Sequence, residues 1–196
     1  MLSYETMKAI KRINLSEVVA EFLKAELKSP RFSSDVRSSL ENSGFTEEII
    51  LNPNLGSKSE NMARREVLRN YRKWLKFSPH LYWYYVEISL KELGDMYYID
   101  YNYWNELSHN TRLVRFGAKT VQEDRAAHGV SNDGYWSTLK SIRDGAVIPP
   151  IIFKSIGKGK YELIEGHMRA TSYMLLNSEL TKIKAIAGLP RLENLN

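Results

Sequence analysis

The chain has 196 residues and a formal net charge of +5, and 43% of its residues are hydrophobic and 26% charged. This composition is typical of soluble globular proteins, and no apolar run approaches the roughly 18 residues that a membrane span requires, so we expect no membrane association. The absence of cysteine excludes disulfides, zinc sites built on thiolates and cysteine nucleophiles. The charged, amphipathic N-terminus lacks the apolar segment of a secretory signal, which predicts a cytoplasmic location.

The N-terminal part, residues 1–79, is predicted to be helical. Apolar residues at helical spacing predict three helices there, over about 2–28, 36–40 and 59–77. Pro79 ends the third of them, and the composition then changes to aromatic and β-forming residues. We therefore predict two parts, residues 1–79 and residues 80–196.

The third predicted helix carries a basic stripe. Its members recur at helical spacing on one face and are Arg65, Arg69, Arg72 and Lys76. Seven basic and two acidic residues lie between Lys58 and Lys76, a net +5 that equals the charge of the whole chain. Such a stripe attracts the phosphate backbone of DNA, although most charged stripes are simply solvated helix faces. A DNA-binding protein is therefore one alternative function.

The second part is predicted to be a small mixed β-sheet with flanking helices. Its expected strands cover residues 81–90, 151–156, 161–165 and 183–186. Its expected helices cover residues 100–107, 119–128, 135–143 and 168–176. The glycine-rich turn at 157–160 predicts a β-hairpin between the second and third of these strands. With the helical first part, this predicts an α+β protein.

The stretch Tyr161–Ala170, with the sequence YELIEGHMRA, joins a predicted strand to a predicted helix. Gly166 lacks a Cβ atom, which permits a tight turn and a close approach of the backbone to a ligand. The helix after it would offer unpaired N–H groups and the positive end of its dipole to an anion. Arg169 could bind phosphate oxygens with two nitrogens, while His167 and Glu165 could donate and accept a proton. The alternative is that these residues have only a structural role and form an ordinary strand-to-helix turn.

The order of residues from 141 to 187 resembles the core of the ParB/sulfiredoxin-like superfamily. In that family a helix end and a glycine lead to a V-x-x-P-I strand, a glycine-containing hairpin and a junction of the type Y-x-L-I-x-G-x-x-R. The matching positions here are Ser141, Ile142, Arg143, Gly145, Val147, Pro150, Ile151, Gly157, Gly159, Tyr161, Leu163, Ile164, Gly166 and Arg169. Sulfiredoxins carry a cysteine at this junction, and its absence excludes sulfinic acid reduction. The junction is most similar to the Asp-Gly-His-x-Arg type of the free-serine kinases.

The resemblance implies a nucleotide-binding protein that uses ATP or CTP with Mg²⁺, and it suggests NTP hydrolysis or phosphoryl transfer as the reaction. It implies that Gly166, Met168 and Arg169 contact the nucleotide phosphates, with Glu165 and His167 as catalytic groups. A second phosphate-binding cluster is expected from the polar loop 108–112. Its candidates are Arg112 and, after it, Thr111. Some members of the superfamily are labelled nucleases, so the resemblance makes a metal-dependent nuclease the sharper form of the DNA-binding alternative.

A third alternative is an adaptor with a degenerate pocket, whose N-terminal helices bind a protein partner or a second copy of the chain. The histidines do not have the spacing of metal ligands, so no metal site is predicted; they are His80, His109, His128 and His167. Nucleotide binding, nucleic-acid binding and protein binding therefore remain three alternatives at the level of the sequence.

Overall fold

The computed structural model describes residues 7–75, 77–78, 80–176 and 182–191, and within them it contains nine α-helices and a five-stranded sheet. The strands are β1 Lys8–Ile13, β2 Tyr82–Ile88, β3 Ile151–Gly157, β4 Lys160–Glu165 and β5 Ile183–Leu189. The helices are α1 Leu15–Leu27, α2 Ser33–Asn42, α3 Glu48–Leu51, α4 Lys58–Tyr71, α5 Leu90–Gly94, α6 Asn102–Leu107, α7 Val114–Gln122, α8 Asp133–Arg143 and α9 His167–Met174. The predicted α+β class is confirmed.

The chain divides into two compact units. The helical unit is Ile13–Trp83, and the sheet unit consists of the residues before Ile13 and those from Tyr84 onward. In the helical unit, α1 packs on α2 and α4 through apolar side chains that are almost fully buried, including Val18, Leu23 and Val67. Among the described residues, no helix is both long and apolar enough to cross a membrane.

The sheet has the strand order β1-β2-β5-β3-β4 and is mixed. Strands β3 and β4 form the predicted antiparallel hairpin, while β3 and β5 run parallel. The hairpin turn uses Gly157, Lys158 and Gly159, all with positive φ (92°, 53° and 70°), which explains its two glycines. Because Glu165 pairs with Ile152 near the start of β3, the β4–α9 junction lies beside the buried beginning of that strand.

The predicted helix over residues 2–28 is wrong at its beginning, where Lys8–Ile13 forms β1 instead. The helix α1 begins at Leu15 because the Asn14 side chain accepts a hydrogen bond from the backbone N–H of Glu17 (3.0 Å) and caps it. The strand predicted over 81–90 is also too long. It ends at Ile88, since Ser89 and Glu92 form a capping box that starts α5.

Other predicted helices also have different bounds in the structure, and two of them differ most. The helix expected over 59–77 is α4, which ends at Tyr71, and Trp74 is 62% exposed instead of lying on an apolar helix face. The helix expected over 119–128 is α7, which begins five residues earlier at Val114. Pro79, which is predicted to end the first of these helices, lies outside the described residues.

Candidate functional site

Gly166 forms the corner between β4 and α9. Its φ of 88° is in the left-handed region, and its carbonyl accepts the first hydrogen bond of the helix from Ala170 (2.7 Å). A Cβ atom at this position would lie 3.1 Å from Arg169 Nη2 and 3.3 Å from the Cα atom of Ile151. Both the backbone conformation and the close approach of these neighbours therefore require glycine. No side chain caps the first turn of α9, because the N-cap residue is a glycine.

The guanidinium of Arg169 lies against this corner and is bound within the protein. Its Nη1 donates to the carbonyl of Pro149 (2.9 Å), and its Nη2 donates to Oε2 of Glu165. The Arg169 and Glu165 side chains are only 13% and 14% exposed. The Glu165 carboxylate thus takes the position on Arg169 where the sequence predicts a ligand phosphate.

His167, the first residue of α9, is covered by an aromatic ring. Trp104 stacks on its imidazole with ring centroids 5.1 Å apart and an angle of 18°, and it also stacks on Tyr98 at 4.8 Å. The Nε2 atom of His167 is buried and has no hydrogen-bond partner in the described part of the chain. Burial lowers the pKa of His167 to about 3, so the imidazole is neutral near pH 7 and does not act as a cationic phosphate ligand.

The loop 108–112 contains three non-glycine residues with positive φ, namely His109 (53°), Asn110 (62°) and Arg112 (61°). Thr111 is used inside the loop: its hydroxyl donates to the carbonyl of Ser108 (2.7 Å) and accepts from the N–H of Leu113 (3.2 Å). Such left-handed residues persist only where surrounding contacts hold them in place. The loop is therefore held rigidly, and its internal hydrogen bonds position Arg112.

Arg112 is held by neighbouring acceptors. Its Nε and Nη2 donate to the carbonyl of Tyr98 (3.0 and 2.6 Å), and Nη2 also pairs with Glu162. The opposite carboxylate oxygen of Glu162 lies 3.2 Å from the ammonium of Lys154, its partner across the β-hairpin. Arg112 therefore has a structural role in anchoring the loop to Tyr98 and β4.

Tyr98 joins the two clusters that the sequence predicts. Its carbonyl binds Arg112, its ring lies 6.2 Å from that of His167, and its buried hydroxyl is 2.7 Å from Oγ1 of Thr171 in α9. The loop and the junction are therefore neighbours in the structure. Tyr98 and Trp104 are parts of this site that the sequence did not predict, and their only signal was the density of aromatic residues between 97 and 104.

The Tyr98 side chain packs so closely against Gly117 of α7 that a larger residue does not fit there. A Cβ atom there would lie 2.9 Å from Cε2 of the Tyr98 ring and closer still to its hydroxyl oxygen, which is too close for any contact. We expect Gly117→Ala to lower the free energy of unfolding by about 1–3 kcal/mol, because the Tyr98 ring must move in a packed interior. Urea unfolding measures this. Gly134→Ala is the control, since its Cβ would meet only the flexible end of Met168; an equal loss in both variants would contradict the role of Tyr98.

The predicted basic stripe is only partly exposed. Arg65 and Arg69 are exposed on α4, while Arg72 is the C-cap residue of that helix and binds the buried Glu26 at 3.0 Å. Lys76 lies outside the described residues. Met168, the remaining candidate of the junction, is 42% exposed and contacts Thr138 through its sulfur.

In the ranges that the structure describes, no group of three or more His, Cys, Asp or Glu side chains could hold a metal ion. The protein is thus an α+β protein with a mixed sheet. At its β4–α9 corner it combines a glycine in the left-handed conformation, a helix without a side-chain cap and the guanidinium of Arg169. Comparisons with family models, with curated proteins and with solved structures find no match for the chain.

Proposed function

We propose that the sheet unit binds a nucleotide, ATP or CTP, at the β4–α9 junction. The observation that carries this proposal is the position of Arg169, whose Nη2 lies 3.1 Å from where a Cβ atom of Gly166 would be, next to the uncapped first turn of α9. A guanidinium and the backbone N–H groups of a helix N-terminus are the donors that phosphates prefer. The resemblance to the ParB/sulfiredoxin-like superfamily supports a nucleotide as the source of the phosphates.

Glu165 acts as an internal counter-ion in this proposal. Its carboxylate binds Arg169, so a phosphate must replace it on Nη2. The carboxylate and the phosphate would then repel each other at short distance. We therefore expect weak binding by the natural chain and stronger binding when the charge of Glu165 is removed.

The described residues offer no metal site of their own, but a magnesium–nucleotide brings most of its ligands as phosphates and waters. Glu165 is the carboxylate of the junction that would contact such an ion after leaving Arg169. In the same released state, Glu165 could accept a proton from a hydroxyl or a water. We propose binding as the function, and hydrolysis or transfer as the reaction to be tested.

Glu165→Gln is expected to strengthen binding of magnesium–ATP or magnesium–CTP by about tenfold, equivalent to about 1.4 kcal/mol. Glutamine keeps the shape and one acceptor for Arg169 but loses the negative charge that competes with phosphate. Isothermal titration calorimetry on the full chain gives both dissociation constants, and phosphate release with each nucleotide measures hydrolysis.

Arg169→Met should abolish the binding, and Arg143→Met is the matched control because Arg143 is exposed at the end of α8. Circular dichroism checks that each variant is folded. If neither the natural chain nor Glu165→Gln binds ATP or CTP, the proposed function is wrong. It is equally wrong if Arg169→Met binds as well as Arg143→Met does.

A further inference from the structure

The end of α4 carries a cluster of cationic and aromatic side chains, which we call the α4-end cluster: Arg31, Phe32, Tyr71, Arg72, Lys73 and Trp74. The guanidinium of Arg72 lies over three rings, at 4.4 Å from the centroid of Tyr71, 4.6 Å from Phe32 and 5.8 Å from Trp74. The guanidinium of Arg31 lies 5.0 Å from the Phe32 centroid. The cations and rings are therefore interleaved in one small area of the helical unit.

The internal contacts of Arg72 keep this arrangement in place. Arg72 and Tyr71 both donate to Oε2 of Glu26, whose side chain is only 6% exposed. Burial, together with the hydrogen bond and the charge of Glu26, raises the pKa of Tyr71, so its hydroxyl keeps its proton. A buried carboxylate on α1 thus anchors the chain where α4 ends, and the next two side chains project beyond the helix.

Those two side chains, Lys73 and Trp74, are exposed. Trp74 is 62% exposed, although an indole ring is among the side chains that gain most from burial. Lys73 and Arg31 are exposed too, and neither has an acidic partner among the described residues. The exposure of Trp74 beside Lys73, a cation without an acidic partner in the described part of the chain, is not explained by the stability of the helical unit.

A cleft of about 450 Å³ lies beside Lys73. Besides Tyr71, Arg72 and Lys73, its lining is polar and consists of Asp35, Ser38, Ser39, Asn42 and Asn70. Ser39 donates to the carbonyl of Val67 and Asn70 to the hydroxyl of Ser43, while Lys73 retains three free donors. Arg72 is paired with Glu26, so Lys73 is the cation of the lining that can offer its donors to an anionic group.

We propose that the α4-end cluster binds single-stranded nucleic acid, with a base stacked on Trp74 and backbone phosphates at Lys73 and Arg31. Unpaired cations attract phosphates, and a free indole face stacks on a base of any sequence. Stacking requires a base that is not enclosed in a duplex, so the exposed ring favours a single strand over double-stranded DNA. Arg65 and Arg69, both exposed on α4, extend the positive surface along the helix.

Fluorescence anisotropy of a labelled single strand of about 12 nucleotides tests the proposal with the full chain. Separate arms use DNA, RNA and a blunt duplex of the same length, between about 50 and 200 mM salt. We expect the single strands to bind more tightly than the duplex, and the DNA and RNA arms show which sugar is preferred. No binding at the lower salt concentration, or tighter binding of the duplex, would overturn the proposal.

Two variants locate the site. Trp74→Ala should weaken binding by roughly tenfold because the base no longer stacks, whereas Trp136→Ala, which removes a 41% exposed tryptophan of α8, should have no effect. Replacing Lys73 and Arg31 by glutamine should reduce the salt slope by about 0.7 for each phosphate that is no longer neutralised. Equal affinities of the two tryptophan variants, or an unchanged salt slope, would also overturn the proposal. Glu165→Gln should leave this binding unchanged, so failure here is distinguishable from failure of the nucleotide proposal.

Discussion

Arg64→Met is expected to lower the free energy of unfolding by about 2–4 kcal/mol, because it removes a buried guanidinium and leaves two of its hydrogen-bond acceptors without that donor. The Arg64 side chain is completely buried. Its Nη1 donates to the carbonyl of Ile49 (2.7 Å) and to the carboxylate of Glu60 (3.2 Å), and its Nη2 donates to the side chain of Asn61 (2.5 Å). Methionine fills similar space but leaves the Ile49 carbonyl and the Asn61 amide oxygen without this donor, and each such loss costs about 1–3 kcal/mol. Glu60 is less affected, because it is 32% exposed and still accepts from the N–H of Asn54 (3.0 Å).

Urea unfolding of the full chain, followed by circular dichroism, measures this loss. Arg65→Met is the matched control, since it removes the same charge from the neighbouring position and only a long contact with Ser16 (3.5 Å). We expect that control to change the unfolding free energy by no more than about 0.5 kcal/mol. Similar losses for the two variants would show that the charge of α4, and not the internal contacts of Arg64, stabilises the helical unit.

The second large effect is that the free energy of unfolding depends on pH because of His167. Its pKa is about 3 in the folded chain and about 6.5 when the chain is unfolded. Between about pH 6.5 and pH 3, the imidazole takes up a proton only in the unfolded state. The free energy of unfolding is therefore highest above about pH 6.5 and falls as the pH is lowered. The expected slope is about 1.4 kcal/mol per pH unit, which adds up to about 4–5 kcal/mol near pH 3.

His167→Phe should remove this slope while an aromatic ring remains stacked on Trp104. Urea unfolding at intervals between about pH 7 and pH 5 is the measurement, because most carboxylates remain ionised in that range. His80→Phe changes an exposed histidine and should keep the slope of the natural chain. If His167→Phe and the natural chain lose stability equally over this range, the imidazole is not held neutral by burial.

Several local features of the fold follow from nearby residues and could be predicted. The β3–β4 hairpin follows from the glycines of its turn, and Gly166 follows from the change between strand and helix periodicity. The elements that were missed depend on distant partners. Lys8–Ile13 is a strand only because β2 lies beside it in the sheet, and α4 ends where Tyr71 and Arg72 meet Glu26, more than forty residues earlier in the chain.

The candidate site shows the same division. The sequence alone determined the α+β class and the residue types at the junction, since turn glycines, helix starts and periodicity act over a few residues. Only the tertiary structure decided what those side chains contact: Arg169 is bound by Glu165 and Pro149, Arg112 by Tyr98 and Glu162, and His167 is covered by Trp104. The physical reason is that the partner of a buried charge or ring is set by packing between elements far apart in the chain, which local pattern does not contain.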